Sequence, residues 1–377
     1  MSFNCRFYKL YFKEIYEQGR VKLMKKEGKS PIFDTLLAKQ KIENGKRAKW
    51  FQRKGSKAKN FKYLTAKGER INDESQLERI TSLVIPPAWK HVRISPVAGG
   101  KIQAVGMDTS GRIQYIYHPK FAELQQKKKF TKIEKFGEFL PKLRKVTNEH
   151  IALEGFPREK VLAVMMRLIN SLYIRTGTEE SVKHYKTYGI TTLQNRHLEI
   201  GKKGKLIFSF VGKHHIKHRK LLVDEELAGL MKDLKALGGA RKLFHYLDAE
   251  NKPRSIKPRD INEYLKEITA PEFTAKDFRT WGGTLLAAIE LAEIGKADDE
   301  KSLKKNILSA VKKVAEQLGN TPTVARSSYI HPTVIKSYEK GVTLEEFTTK
   351  TQRKIKRLNN EYEPEEKALI KLFQNRG

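Results

Sequence analysis

Tyr329 is a side chain in this sequence that could act as a covalent nucleophile. It lies near the end of the segment LGNTPTVARSSYIHPTVI, residues 318–335, which has no obvious apolar pattern. A phenol has a pKa of about 10, so a tyrosine that attacks a phosphodiester needs help to ionise. The alternative for one of 14 tyrosines is ordinary half-buried packing. The segment alone leaves both interpretations open.

A tyrosine nucleophile would require a defined set of partners. The transition state places extra charge on the non-bridging phosphate oxygens, and the planar fork of arginine suits these oxygens. The departing sugar oxygen needs a proton, which a lysine or histidine can supply when no metal does so. The set is therefore one tyrosine, two arginines and one lysine that converge from separate elements.

Three basic residues in the second part of the chain stand where such partners could be. Arg175 is expected at the C-terminal end of a helix, Lys213 at the exit of a β-hairpin, and Arg279 in the first turns of a helix. Each also has a structural interpretation, as a helix cap, a basic loop residue and the partner of a nearby carboxylate, respectively. Because the chain has 76 Lys and Arg residues, spacing alone does not select these three.

The elements that must position these residues are mainly helical from about residue 120 onward. PREKVLAVMMRLINSLYIRTG has one apolar face and stops at Thr176-Gly177, while HLEIGKKGKLIFSFVGK predicts two strands around a turn. TAKDFRTWGGTLLAAIELAEI opens with a capping box from Thr274 to Asp277. SLKKNILSAVKKVAEQLG is amphipathic and ends at Gly319, after which a Thr-Pro pair begins a short helix.

The front of the chain has a different character. Residues 60–118 contain short β-rich segments separated by glycines, with one helix at ESQLERITSL. Before them, KRAKWFQRKGSKAKN is typical of a mobile basic arm that lies along phosphates, and a solvated tail is the alternative. We therefore predict an α+β protein with three parts, which are a basic N-terminal extension (1–55), a β-rich N-terminal domain (56–122) and a mainly helical domain (123–377) with a β-hairpin near 192–213.

Composition narrows the class of partner. The formal net charge is +33 and the isoelectric point is near 9.9, which favours a polyanion. No apolar run is long enough to span a membrane and no signal peptide is evident, so an integral membrane protein is excluded and secretion is not expected. The single cysteine, Cys5, is typical of a reducing compartment.

The sequence also predicts no cofactor and no metal. No Gly-Lys pair is preceded five positions earlier by the glycine of a phosphate-binding loop, and neither HExxH nor a calcium-binding loop occurs. His214, His215 and His218 are close together in KHHIKH, but no carboxylate or cysteine lies nearby to complete a zinc site. We therefore expect the reaction to run without bound nucleotide.

Six segments, in this order along the chain, resemble the type IB DNA topoisomerases, specifically the compact bacterial and poxvirus-like branch. The resemblance covers about residues 50 to 345, and the six segments are IPPAWKHVRI, GRIQYIYHPKF, YIRTGTEESVKHYKTYGITTLQNRH, FSFVGK, KDFRTWGGT and LGNTPTVARSSYIHP. Any one of these segments alone would be weak evidence. Six in the family's order are specific, and they select Tyr329 and its three basic partners.

The resemblance implies a role for each catalytic residue. Arg175 and Arg279 would clamp the scissile phosphate, Lys213 would protonate the leaving 5′-oxygen, and Tyr329 would form the 3′-phosphotyrosyl link. The family's poxvirus members have a histidine nine residues before the tyrosine, where this chain has Asn320. An amide donates a hydrogen bond, but it brings no charge and cannot act as an acid.

The resemblance also implies DNA contacts outside the catalytic set. Gln114, Tyr115 and Tyr117 in GRIQYIYH would face DNA from the N-terminal domain, although ordinary strand packing is the alternative. His214 directly follows the proposed acid, so we expect it to contact a phosphate. Lys276 precedes Arg279 in KDFRTW and is expected to contact DNA as well.

The implied fold is a clamp of two basic lobes around supercoiled double-stranded DNA, with a catalytic domain of the type shared with tyrosine recombinases. A monomer is expected, in the cytoplasm and associated with the nucleoid of a bacterium. A tyrosine recombinase is the first alternative, but Lys276 stands where recombinases typically place a histidine, and the front domain is unlike their helical one. A non-catalytic architectural DNA-binding protein is the second.

Overall fold

The structure is a computed structural model that describes residues 31–55, 60–238, 241–344 and 362–374. The chain divides into two compact units, Met1–Lys127 and Lys128–Gly377. The division falls inside helix α3 (Pro119–Glu138), as does the boundary expected after residue 122. The fold class is as predicted, with a small N-terminal sheet and a mainly helical second unit.

The first unit is built on one antiparallel sheet of five strands in the order β2-β1-β3-β4-β5. Its elements are α1 (Pro31–Glu43), β1 (Phe51–Lys54), β2 (Lys62–Leu64), α2 (Glu74–Ser82), β3 (Lys90–Ile94), β4 (Ile102–Met107) and β5 (Ile113–Tyr117). Successive strand residues point to opposite faces. Ala104 therefore packs with Ile80 of α2, while its neighbour Val105 packs with Ile42 of α1.

This arrangement corrects the expectation for the end of the basic extension. Residues 51–54 form β1 between β2 and β3, and α1 covers one face of the sheet. In the sequence, the many lysines and arginines of this segment make its few apolar residues, such as Ile42 and Trp50, difficult to recognise as core residues. In the structure these apolar residues pack against the sheet and fix the segment. Residues 1–30 and 56–59 lie outside the described part of the chain.

The second unit contains helices and two small sheets. Its helices beyond α3 are α4 (Leu140–Ile151), α5 (Arg158–Leu172), α6 (Glu179–Tyr185), α7 (Glu225–Ala236), α8 (Pro258–Ile268), α9 (Ala275–Ile294), α10 (Glu300–Leu318), α11 (Pro322–Tyr329), α12 (Pro332–Glu339) and α13 (Pro364–Gln374). Its strands are β6 (Leu198–Ile200), β7 (Lys205–Val211), β8 (Lys217–Val223), β9 (His245–Leu247) and β10 (Pro253–Ser255). Helix α5 is buried on all sides from Val161 to Ile169 and lies in the core, where it packs on α4, α8 and α9.

The predicted hairpin is confirmed, but it belongs to a sheet of three strands. β6 and β7 pair around the glycine-lysine turn as expected, and β8 adds to the other edge of β7. In β8, His218, Lys220 and Leu222 are half-buried while the residues between them are exposed. The strand is not evident in the sequence because two of its three inward residues are basic. No helix in the described ranges is long and apolar enough to cross a membrane.

Candidate active site

Arg175 is held by a tightly packed backbone rather than by a helix end. Helix α5 ends at Leu172, because Tyr173 adopts the left-handed conformation with φ 55°. Arg175 therefore lies beyond the helix, which corrects the predicted position. Its carbonyl accepts from the N–H of Ile190 at 2.8 Å, and a Cβ on Gly189 would lie 2.5 Å from that carbonyl oxygen. Only glycine permits this approach, so the backbone of Arg175 is fixed against residues 189 and 190.

Arg279 is positioned by the predicted capping box of α9. The carboxylate of Asp277 accepts from the backbone N–H of Thr274 at 2.8 Å, which fixes the first turn. Arg279 is 4% exposed. Its Nη1 donates to the Tyr173 carbonyl at 2.5 Å and its Nη2 to the Leu318 carbonyl at 2.7 Å. The guanidinium therefore has a fixed place and orientation.

The end of α10 brings the two arginines together. Arg175 Nη1 donates to the same Leu318 carbonyl at 3.5 Å, and Arg175 Nη2 donates to Oδ1 of Asn320 at 2.7 Å. The chain turns away at Gly319 (φ 59°), as the glycine after α10 predicts. Among the described residues, Arg279 Nε and Asn320 Nδ2 are buried without a hydrogen-bond partner. Two donors therefore remain for an incoming acceptor.

Tyr329 is the last residue of α11 and is 8% exposed. Its ring centroid lies 5.2 Å from Cζ of Arg279. Burial raises the pKa of the phenol, but attraction to Arg279, Arg175 and Lys276 outweighs burial, so the net pKa is below its usual value. The charges around Tyr329 therefore favour the phenolate that a nucleophile requires.

The backbone around Tyr329 is fixed on both sides. The Tyr329 carbonyl accepts from Thr284 Oγ1 at 3.2 Å, and the preceding carbonyl, of Ser328, accepts from Nζ of Lys129. A Cβ on Gly283 would lie 2.7 Å from the Tyr329 carbonyl oxygen, so α9 and the end of α11 are in close contact. Gly283, the second glycine of KDFRTWGGT, thus allows the helix that carries Arg279 to touch the segment that carries Tyr329.

A pocket collects most of the predicted basic residues. Arg175, Lys213 and Arg279 line it together, and Arg279 also contacts the ring of Tyr329. Lys213 is exposed and begins a three-residue turn, Lys213–His215, between β7 and β8. The full lining is Tyr173, Ile174, Arg175, Tyr188, Phe210, Gly212, Lys213, His218, Lys220, Arg279 and Gln317.

His218 and Lys220 belong to this pocket and were missed by the sequence analysis. Burial, followed by repulsion from Arg279, lowers the pKa of Lys220 to about 8. Burial, followed by repulsion from Lys220, lowers the pKa of His218 to about 4. In KHRKLLV the two-residue alternation appears only in the burial of the strand and not in the types of its residues, so the sequence carries no clear signal that places both side chains on one face.

The remaining predicted residues occupy surfaces. Lys276 is exposed in the first turn of α9, and His214 is exposed in the turn after Lys213, with φ 62°. No group of His, Cys, Asp and Glu in the described ranges is arranged to hold a metal ion. In the first unit, β5 is an edge strand on which Tyr115 and Tyr117 are 38% and 45% exposed.

Gln114 is engaged within its own unit. Its Nε2 donates to Oδ2 of Asp108 at 2.9 Å. The exposed tyrosines beside it are flanked by cations and another ring, since Arg47 lies 5.4 Å from the Tyr115 centroid and Phe121 lies 5.5 Å from Tyr117. Tyr115 and Tyr117 are therefore available to a partner, whereas the amide of Gln114 already has an acceptor.

Comparisons with known proteins agree with both units. A family model of the catalytic core of eukaryotic DNA topoisomerase I matches residues 118–359, and a model of the N-terminal domain of bacterial DNA topoisomerase IB matches residues 60–108. DNA topoisomerase 1B of Acanthamoeba polyphaga mimivirus is 32% identical over 271 residues, which cover 70% of this chain and 80% of the viral protein. DNA topoisomerase I of Monkeypox virus is 26% identical over 232 residues, which cover 61% and 70%. The chain therefore belongs to the type IB DNA topoisomerase family.

Proposed function

We propose that this protein nicks one strand of duplex DNA through a reversible 3′-phosphotyrosyl intermediate at Tyr329 and relaxes supercoils of both signs. The observation that carries the proposal is that Arg175 and Arg279 both donate to the Leu318 carbonyl, with the Arg279 guanidinium over the ring of Tyr329. A nucleophile and a pair of fixed guanidinium groups are the components that attack on a phosphodiester requires.

The arginines act on the phosphate. Arg175 and Arg279 stabilise the charge that develops on the non-bridging oxygens as Oη of Tyr329 bonds to phosphorus. The buried Nε of Arg279 and Nδ2 of Asn320 support this role because both donors lack a partner among the described residues. Asn320 also holds Arg175 through its Oδ1, so one amide both orients a guanidinium and offers a donor.

Lys213 acts on the leaving group. The phenolic proton of Tyr329 passes to solvent before the attack. As the bond between phosphorus and the 5′-oxygen then breaks, the ammonium of Lys213 donates its proton to that oxygen. Lys213 lines the same pocket as the arginines and is exposed, so bound DNA can reach it. In religation the same groups run in reverse, with Lys213 accepting the proton from the attacking 5′-hydroxyl.

The reaction needs no energy source. One phosphodiester is exchanged for another of similar energy, so the nick is reversible without ATP, and the charges described above belong to side chains rather than to a metal. While the 3′ end is held, the free 5′ end rotates about the intact strand and releases torsion of either sign.

DNA binding extends beyond the pocket in this proposal. Tyr115, Tyr117 and Gln114 contact the duplex from the first unit, and Lys276 and His214 contact it from the second. Exposure of the two tyrosines supports their part. The net charge of +33 supports a polyanionic partner with an affinity that falls steeply with salt. Both units would hold one duplex as a clamp, and the protein would act as a monomer.

The expected location is part of the same proposal. The protein would be cytoplasmic and associated with the nucleoid, where its DNA substrate is. A bacterial source is supported by the match of residues 60–108 to a bacterial N-terminal domain.

A plasmid relaxation assay tests the function. Positively and negatively supercoiled plasmids are incubated with protein in EDTA and without ATP, and Tyr329→Phe is run in parallel. We expect the wild-type protein to relax both plasmids and the variant to bind them without relaxing them. Failure of wild-type protein to relax either plasmid, despite binding, would contradict the proposal.

A further inference from the structure

The last turn of α10 supports three cations of the pocket, not two. The Leu318 carbonyl accepts from Arg175 and Arg279, and the adjacent Gln317 carbonyl accepts from Nζ of Lys220. The final carbonyls of a helix lack intrahelical partners and carry the negative end of its dipole. They are therefore natural acceptors for cationic side chains, and here they set the spacing between those side chains.

Lys220 reaches this turn from the opposite wall of the pocket. It lies on the inward face of β8, two residues from His218. The His218 ring lies against both walls, because a Cβ on Gly319 would be 2.3 Å from its Cε1 and a Cβ on Gly212 would be 2.6 Å from its Cδ2. The strand β8 is therefore in close contact with the end of α10, and Lys220 forms the charged part of that contact.

A lysine at this position is unfavourable for the stability of the folded protein. It is partly desolvated and stands near two guanidinium groups, both of which lower its pKa, whereas only Glu316 offsets them. An apolar side chain of similar length would avoid both penalties. A partly buried cation in a cleft with a shifted pKa is a candidate functional group when its contacts also point to the site. The hydrogen bond to Gln317 is such a contact.

We propose that Lys220 is a positioning residue that fixes the last turn of α10, so that the Leu318 carbonyl and Asn320 hold Arg175 and Arg279 at the spacing the scissile phosphate requires. This inference rests on the proposed function. It differs from a role as a second proton donor, in which Lys220 would act on the leaving oxygen, and from a purely structural role.

The test measures single-turnover cleavage on two synthetic duplexes. Each releases a short 3′ fragment after cleavage, which makes the step irreversible. One has the natural 5′-oxygen at the scissile bond and the other has a bridging sulfur. A thiol has a pKa of about 8.5, far below that of an alcohol, so the sulfur leaves without needing a proton. A variant that lacks only a proton donor is therefore restored on the sulfur substrate.

We expect Lys220→Met to lower the cleavage rate by about tenfold on both substrates, with DNA affinity unchanged, because lost positioning affects either leaving group. Lys220→Arg keeps a cationic donor and should recover most of the rate. Lys217→Met is the matched control, since Lys217 is exposed on the other face of the same strand. This variant should cleave both substrates at the wild-type rate.

Two results would overturn the inference. One is a Lys220→Met rate within about twofold of wild type on both substrates. The other is a defect on the oxygen substrate alone, which would make Lys220 a proton donor. If Lys220→Met does not fold, Lys220→Leu takes its place with the same expectations, because leucine also lacks a hydrogen-bond donor. The proposed function fails separately, if wild-type protein forms no covalent complex with either duplex.

Discussion

The two sides of the pocket are built differently. On the arginine side, Arg279 is 4% exposed and its guanidinium donates to two backbone carbonyls. On the lysine side, Lys213 is exposed in a three-residue turn between two strands. The difference separates two demands of the chemistry. Groups that stabilise charge on the phosphate work best when they are preorganised, whereas an acid only has to reach the leaving oxygen once DNA is bound.

Removal of a fixed arginine should have the largest effect. Arg279→Ala should lower the rate of single-turnover cleavage by about 10³-fold, on the scale of a lost preorganised donor to a developing oxyanion. It also leaves the carbonyls of Tyr173 and Leu318 without this donor, so thermal stability should fall as well. Cleavage is measured on a labelled duplex and stability by thermal unfolding.

Arg279→Lys is the control that separates charge from geometry. Lysine keeps the charge but lacks the planar fork that reaches two carbonyls at once. We expect it to recover only a small part of the rate. Cleavage by Arg279→Ala at nearly the wild-type rate would show that the fixed side of the pocket is not where the phosphate is stabilised.

Loss of the exposed lysine should have a smaller effect that depends on the leaving group. Lys213→Ala should lower the rate of cleavage of the oxygen substrate by about 10²-fold, as expected for a lost general acid. The variant protein should cleave the sulfur substrate at close to the wild-type rate. Its melting temperature should not change, since the side chain is exposed. An equal defect on both substrates would mean that Lys213 stabilises the phosphate, as the arginines do, and does not protonate the leaving oxygen.

Asn320→Ala should have an intermediate to small effect. It removes the acceptor 2.7 Å from Nη2 of Arg175, but Arg175 keeps its contact with the Leu318 carbonyl. We expect about a tenfold loss in cleavage rate, equivalent to about 1.4 kcal/mol. Asn320→Asp, which keeps the acceptor but adds a negative charge near the phosphate, should be slower than Asn320→Ala. The reverse order would mean that orientation of Arg175 is the main role of residue 320.

The pH dependence of stability should come from buried histidines rather than from the arginines. Burial lowers the pKa of His331 to about 4, below its unfolded value of about 6.5, so the unfolded chain binds a proton that the folded chain does not. Stability is therefore lost as pH falls through this window, by on the order of 2 kcal/mol between about pH 7 and about pH 5. Glu134 Oε1, 2.8 Å from Nε2 of His331, would oppose this loss.

His331→Asn tests this expectation. Nδ1 of His331 accepts from the N–H of Thr333 at the start of α12, and asparagine can cap a helix in the same way. The variant should lose less melting temperature between the two pH values than wild type does. An equal loss in both proteins would assign the acid sensitivity to other groups, with His218 as the next candidate.

The sequence contains the local parts of the site but not the contacts that join them. The capping box of α9, the glycine after α10 and the proline at the start of α11 follow from short-range rules, and the structure confirms all three. By contrast, the joint docking of Arg175 and Arg279 on Leu318 links residues that are 143 and 39 positions from it in the chain. No local pattern predicts that carbonyl as their shared acceptor.

Lys220 shows the same limit on a smaller scale. A basic residue in a basic chain reads as surface, and only the pairing of β7 with β8 turns it inward. The position of Arg175 was also misjudged for a physical reason, because the left-handed Tyr173 ends α5 earlier than the Thr-Gly pair predicts. Resemblance to a family is enough to select Tyr329 and its three basic partners. Their burial and their hydrogen bonds can be read only from the folded structure.

Identification of the covalent link tests the central claim most directly. Wild-type protein is allowed to cleave the irreversible duplex, the complex is digested with a protease, and the peptide that carries DNA is identified by mass spectrometry. The account predicts a single adduct, on Tyr329, attached to the 3′-phosphate of the cleaved strand. An adduct on another residue, or a link to the 5′ end, would contradict it.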